Sequence, residues 1–489
     1  MTDPALLPAH ELALKLRRKE CSAVELLAHF QARTARLNPA LNAIVADDGE
    51  RAMERARQAD AALARGECWG PLHGLPMTVK ESFDVPGLAT TWGFPAQVGN
   101  VATRPAVAVD RLLKAGAVIF GKTNVPVALA DWQTFNPVYG TTNNPWDVSR
   151  GPGGSSGGSA AALAAGLTAL ELGSDIGASI RNPAHYCGVY GHKPTWGVVP
   201  MEGHQLPGEE CIDSVDIGVA GPMARSATDL MLSMDIITQP MHSFGPMGWV
   251  PARWRDDSPP PRRCRVAMLF DDALAPVDDT VKQALHGLAD FLRRQGVQVT
   301  EGARPVDSRL SHRTYMHLLR SATGAWLDEE TYQRFQALAA GYAPDDDSHP
   351  AMHYRGNTLT HRDWVAHDEQ RAVLRRLWRA FFEQHDLVIT PIATSAAFPH
   401  NQAGERWERM ITVNGQPQAS TASLFWAGYA GLVGLPATAI PLGLTPQGLP
   451  VGAQIIGPAF ADPACLRMAQ WLEREWRGFV PPPMALATP

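Results

Sequence analysis

Apolar residues near the start of the chain recur at helical spacing. Residues 9–66 alternate apolar and charged positions, as in AVELLAHF at 23–30 and RAMERAR at 51–57, which predicts amphipathic helices. LNPA at 37–40 breaks the pattern and predicts a turn between them. From position 71 the period changes. Short apolar runs at 78–79, 117–120, 266–270, 387–390 and 437–441 read as strands, and stretches such as 279–295 read as helices. Strands dispersed among helices predict an α/β protein with a central, largely parallel or mixed β-sheet covered by helices on both faces. Two stretches interrupt this order and read as long loops that form lids or pocket walls: 239–263, rich in Pro, Trp and Arg, and 343–360, rich in Asp, His and Gly.

Composition narrows the class. With 489 residues the chain would by length suggest about three domains, but large α/β enzymes exceed that prior, and 45% hydrophobic residues suffice for a sizeable core. A net charge of −6 offers no broad basic field, so nucleic acid is not an expected partner. No run of 18 apolar residues occurs and the first 20 residues lack a secretory pattern, so neither a membrane span nor export is expected and the location read is cytoplasmic. Six cysteines without close spacing read as reduced thiols, with Cys187 as buried packing.

Residues 153–194 carry the densest chemistry: GGSSGGSAAALAAG followed by LGSDIGASIRNPAHYCGVYGHKP, with Ser155 and Ser179 24 positions apart. A Gly/Ser run is a flexible linker by default. Here an Ala/Leu run of high helix propensity follows, with Ser156 and Ser159 as capping candidates, so the glycines introduce a helix N-terminus whose converging N–H groups can stabilise an anion or oxyanion.

This stretch resembles the signature of the amidase signature family of serine hydrolases. The likeness extends in order through residues 70–84 (GPLHGLPMTVKESFD), 140–147 (GTTNNPWD), 386–391 (DLVITP), 434–436 and 448–457. It implies one amidase signature domain over 1–489: an N-terminal helical segment to about 66, a core with the signature over about 67–240, a variable region over about 241–380, and C-terminal core strands beyond. It also implies a Ser–Ser–Lys triad with Ser179 as nucleophile, Ser155, reached through a cis peptide from Gly154, as the bridging serine, and Lys80 as base. That chemistry requires a neutral lysine, and Lys80 ends an apolar run that reads as a buried strand. The N–H groups of Ile176, Gly177, Ala178 and Ser179 would form the oxyanion hole. Ala178 stands where many members carry glycine, so it needs φ < 0 or tolerable strain. Gly153 and Gly154, with Trp132 and Phe135, are the expected substrate-binding residues. The N-terminal helices of such enzymes sometimes join protomers, which leaves a homodimer open.

Each residue has a plainer reading. A serine in a Gly loop is usually a turn residue, and a lysine is usually solvated. Asp175 and Arg181 read as partners that hold the loop. Residues 116–123 (GAVIFGKT) match the phosphate-loop pattern letter for letter, but their variable positions are strand-like and Pro126 discourages a following helix. His349, His353, His361 and His367 invite a metal, yet Pro350 and their irregular spacing deny them one helix face. Neither metal nor cofactor is expected. Trp132, Phe135, Tyr139 and Trp146, with Phe425, Trp426 and Tyr429, are either core or walls of an apolar or aryl pocket. The functional expectation is an amidohydrolase of small-molecule carboxamides, with anilides, esters and carbamates accessible to the same acyl-enzyme. The alternative is the glutaminase-like component of a tRNA-dependent amidotransferase.

Overall fold

The computed structural model describes residues 3–206, 215–238 and 259–486. Most of the loop expected at 239–263 therefore lies outside the described residues, although Pro261–Arg263 forms one short helical turn.

An eight-stranded sheet runs through the molecule in the order Gln298–Glu301, Arg265–Met268, Leu387–Pro391, Pro450–Ile456, Ala437–Leu444, Tyr190–Lys193, Val219–Ala224, Glu171–Asp175. Only the two pairings made by Arg265–Met268 are parallel; the other five are antiparallel, so the sheet is mixed rather than largely parallel. Successive strand residues face opposite sides, and every residue of Leu387–Pro391, Pro450–Ile456, Val219–Ala224 and Glu171–Asp175 is buried, which requires cover on both faces. A separate three-stranded sheet orders Ile44–Asp47, Val118–Thr123 and Pro76–Lys80, and Lys80 is the last residue of its buried edge strand. Thr78 Oγ1 donates across to Glu171, which ties this small sheet to the last strand of the large one.

Between the sheets lies the helix Gly157–Ala164. All eight of its residues are Gly, Ser, Ala or Leu and all are buried, the composition of a helix packed on every side. Ser156 sits at its N-cap position, but its side chain makes no capping bond; the Gly158 N–H instead donates to Asn124 O at 3.2 Å.

The expected turn at 37–40 is corrected. The helix Ala23–Leu41 continues through Pro39 and ends at Asn42, whose φ of 51° is left-handed. Pro39 lacks the N–H for one bond of the ladder, but the helix continues past it and the break falls at the left-handed cap. The strand Ile44–Asp47 and helix Gly49–Ala64 follow. The loop expected at 343–360 is also corrected: it contains the helix His349–Asn357, with Pro350 in its first turn where a missing N–H costs nothing. His349 and His353 thus share a helix face after all.

The phosphate-loop match is a buried strand. Gly121 packs so closely that a Cβ there would lie 2.6 Å from Ala46 O, and Lys122 Nζ is spent on Ala89 O and on Thr90 Oγ1 at 3.0 Å. No helix among the described residues is long and apolar enough to cross a membrane.

Candidate active site

Three segments distant in sequence converge at one end of the helix Gly157–Ala164. Lys80 arrives at the end of its strand, Ser155 in the Gly-rich turn before the helix, and Ser179 in the turn between Glu171–Asp175 and the helix Arg181–Cys187. Lys80 Nζ donates to Ser155 Oγ at 2.7 Å and to Ser174 Oγ at 2.8 Å. Nothing in the sequence singles out Ser174, which is one serine in a strand; its hydroxyl, and its carbonyl at 3.5 Å, bring the acceptors around the amine to three. The Ser156 N–H donates to Ser179 O at 3.1 Å, which joins the two serine-bearing turns. Lys80 is fully buried, and Ser179 is 5% exposed.

Burial sets the state of the amine. Removal from water drags the Lys80 pKa down to about 7, against the opposing pull of the Asp175, Glu171 and Glu81 carboxylates. Burial likewise pushes the Glu171 carboxyl up to about 8, although Thr78, Ser159 and Thr123 hydrogen-bond to it.

Glycine is required at the turn. Gly153 has φ +88°, and a Cβ there would meet Asn182 Oδ1 at 2.6 Å; one on Gly154 would meet Asp131 O at 2.3 Å. The Gly154–Ser155 peptide is cis.

The loop from Ile176 to Ser179 is held one peptide plane at a time. Tyr315 Oη donates to Ile176 O at 3.0 Å, which turns the Gly177 N–H, on the same plane, the opposite way. Trp132 Nε1 donates to Gly177 O at 2.7 Å, and the Ala178 N–H of that plane donates to Asp175 Oδ1 at 2.9 Å. The Asn182 N–H donates to Ala178 O at 2.7 Å, which points the Ser179 N–H away from the helix. One expected oxyanion donor is thereby corrected: the Ala178 N–H is committed to Asp175. The Ile176, Gly177 and Ser179 N–H groups have no acceptor among the described residues. Ala178 adopts φ +66°, so the alanine takes the left-handed conformation at a cost of roughly 1–2 kcal/mol rather than reshaping the loop to φ < 0.

Asp175 and Arg181 form a buried two-point ion pair at 3.0 and 2.9 Å. Burial pushes the Asp175 carboxyl up, but Arg181, Lys193 and the Ile180 N–H outweigh it and leave it below the usual carboxylate range. Replacing Asp175 with Ala strands a buried guanidinium and frees the Ala178 N–H, so we expect a loss of about 3–5 kcal/mol, read from denaturant unfolding.

The aromatic residues separate. Phe425, Trp426 and Tyr429 are at most 2% exposed and belong to the core, and Trp146 Nε1 is spent on Cys187 O at 3.0 Å. Phe135 lies under the Arg409 guanidinium at 5.6 Å. Of these residues, only Trp132 bonds to the loop from Ile176 to Ser179, through Gly177 O. Trp132→Phe is expected to lower kcat about tenfold with little change in KM, the value of one lost hydrogen bond; a rise in KM alone would mean that the ring binds substrate instead.

Comparison with known proteins identifies the family. The amidase family model matches residues 25–466, and the chain belongs to that family, whose relatives named amidase or amide hydrolase act on carbon–nitrogen bonds. It is 32% identical over 476 residues to an indoleacetamide hydrolase of Bradyrhizobium diazoefficiens, covering 95% of this chain and 86% of that protein. It is 33% identical over 489 residues to an acylamidase of Rhodococcus erythropolis, covering 97% of this chain and 98% of that protein. A solved 6-aminohexanoate cyclic dimer hydrolase superposes with a TM-score of 0.78 at 26% identity, covering 99% of both chains.

Proposed function

We propose that the chain cleaves carboxamide C–N bonds through an acyl-enzyme on Ser179. Neutral Lys80 takes the Ser155 hydroxyl proton while Ser155 takes that of Ser179, and the Ser179 oxygen attacks the amide carbonyl. The tetrahedral oxyanion is held by the Ile176, Gly177 and Ser179 N–H groups. Collapse breaks the C–N bond, and the proton returns from Lys80 through Ser155 to the departing amine. Water then attacks the acyl group by the same relay and releases the acid. Side-chain and backbone groups supply every step, without a metal or cofactor. Anilides, esters and carbamates are accessible because they pass through the same intermediate.

The observation that carries this reading is the fully buried Lys80 amine, 2.7 Å from Ser155 Oγ with a pKa of about 7. A lysine placed for charge alone would be hydrogen-bonded to a carboxylate; this one bonds to two hydroxyls and a backbone carbonyl. The chain purified alone should release ammonia or amine from simple carboxamides, unaffected by chelators. Glutamine hydrolysis that appears only with a co-purified partner would favour the glutaminase-like component of an amidotransferase instead.

A further inference from the structure

Beside the oxyanion loop, a group of buried nitrogen donors has no assigned role. Arg320, on the helix Ser308–Gly324, is 7% exposed, and its Nε has no hydrogen-bond partner. It makes no ion pair among the described residues. Its titratable neighbours are a second guanidinium, Arg406, and the neutral Tyr315 hydroxyl; burial first, then Arg406, lowers its pKa to about 9. Two more buried orphan atoms lie in the same place, His312 Nδ1, eight residues earlier on the helix, and His349 Nε2. His349 and His353 stack 6.4 Å apart with Trp407 packed against both rings at 5.8 and 4.8 Å. Burial keeps these imidazoles neutral, His312 at about 4 and His353 at about 2. Of the acids nearby, Asp347 pairs with Arg309 and Arg313, although its Oδ1 has no hydrogen-bond partner, and Asp131 pairs with Arg409; Asp131 and Glu405 also lie close enough to act on Arg406.

Two connections bring this group to the reacting centre. Tyr315, which fixes the Ile176 peptide, precedes Arg320 by five residues, about 7.5 Å along the helix axis. Arg406 donates to Ala130 O, two residues before the Trp132 that holds Gly177. A water cluster would satisfy the imidazoles but leave the Arg320 guanidinium buried without a counter-charge, an arrangement that proteins avoid. A planar carboxylate satisfies both, because it accepts paired N–H bonds from guanidinium and single bonds from imidazole.

We propose that Arg320 and Arg406, with His312 and His349, bind a carboxylate of the substrate, so that the preferred substrates are anionic amides with a carboxylate a few bonds from the scissile carbonyl. The proposal rests on Ser179 as nucleophile. The carboxylate can belong to the acyl part, as in a half-amide of a dicarboxylic acid, or to the amine part, as in an N-acyl amino acid.

The test compares matched pairs: succinamate with butyramide, and N-butyryl-β-alanine with N-butyryl-propylamine. The wild-type chain should favour the anionic member of one pair by about 100-fold in kcat/KM. Which pair shows the preference tells the acyl side from the amine side. Arg320→Met should collapse the ratio at least tenfold through KM, and Arg320→Lys should restore part of it. Arg406→Gln, at a half-buried position, should shift the ratio the same way and covers the case in which Arg320→Met fails to fold. Succinate should slow fluorophosphonate labelling of Ser179 in the wild type and not in Arg320→Met. Turnover of neutral amides with no anionic preference in either pair overturns this inference alone. Absence of both amide turnover and Ser179 labelling overturns the amidohydrolase reading with it.

Discussion

Replacing Lys80 with arginine is expected to lower kcat/KM by about 10³-fold, although a positive charge and hydrogen-bond donors are kept. A guanidinium does not release its proton in a protein, so it cannot take one from Ser155. The same argument fixes the pH dependence. The active form is the free amine, whose fraction rises with pH through the Lys80 pKa of about 7. Below that value the wild-type rate should fall tenfold per pH unit, and above it the rate should level off. Lys80→Met should remove this limb along with most of the activity. A Lys80→Arg enzyme of near-normal rate would recast Lys80 as a charge that orients Ser155 and Ser174.

Ser179→Ala carries the largest expected effect, a loss of about 10⁴-fold or more in kcat, because in the proposed mechanism the Ser179 hydroxyl alone forms the acyl-enzyme. Its stability should change little. The substitution removes one hydroxyl from a position 5% exposed and leaves the backbone bond from Ser156 to Ser179 O in place. Circular dichroism and thermal melting should match the wild type. A variant that loses activity because it unfolds would not bear on the role of the hydroxyl.

The residues that form the candidate site are largely legible in the sequence, because the chemistry needs particular residue types at fixed places on the chain. Gly153 and Gly154 must be glycine for steric reasons, and Ser155, Ser179 and Lys80 stand in segments that only a specific turn or strand end explains. The expected strands at 266–270, 387–390 and 437–441 appear as Arg265–Met268, Leu387–Pro391 and Ala437–Leu444, since continuous apolar runs bury on both faces. What stays hidden depends on tertiary contact. Tyr315 reaches Ile176 across 139 positions, and nothing local marks it. Ser174 gains its place only because Lys80 enters from a different sheet. The segment His349–Asn357 reads as loop because His, Asp and Gly predict one, whereas packing against the helix Ser308–Gly324 holds it as a helix. The sequence leaves the aromatic residues at 425, 426 and 429 open between core and pocket wall, and the fold places them in the core.

The central claim is that Ser179 is the nucleophile activated through Ser155 and Lys80. Its most direct test is mass-spectrometric mapping of the intact chain after reaction with a fluorophosphonate. The mechanism predicts one adduct, on Ser179, absent from Ser179→Ala and formed at least about 100-fold more slowly in Lys80→Met. An adduct on Ser155, Ser156 or Ser174, or amide turnover with no adduct at all, would contradict it.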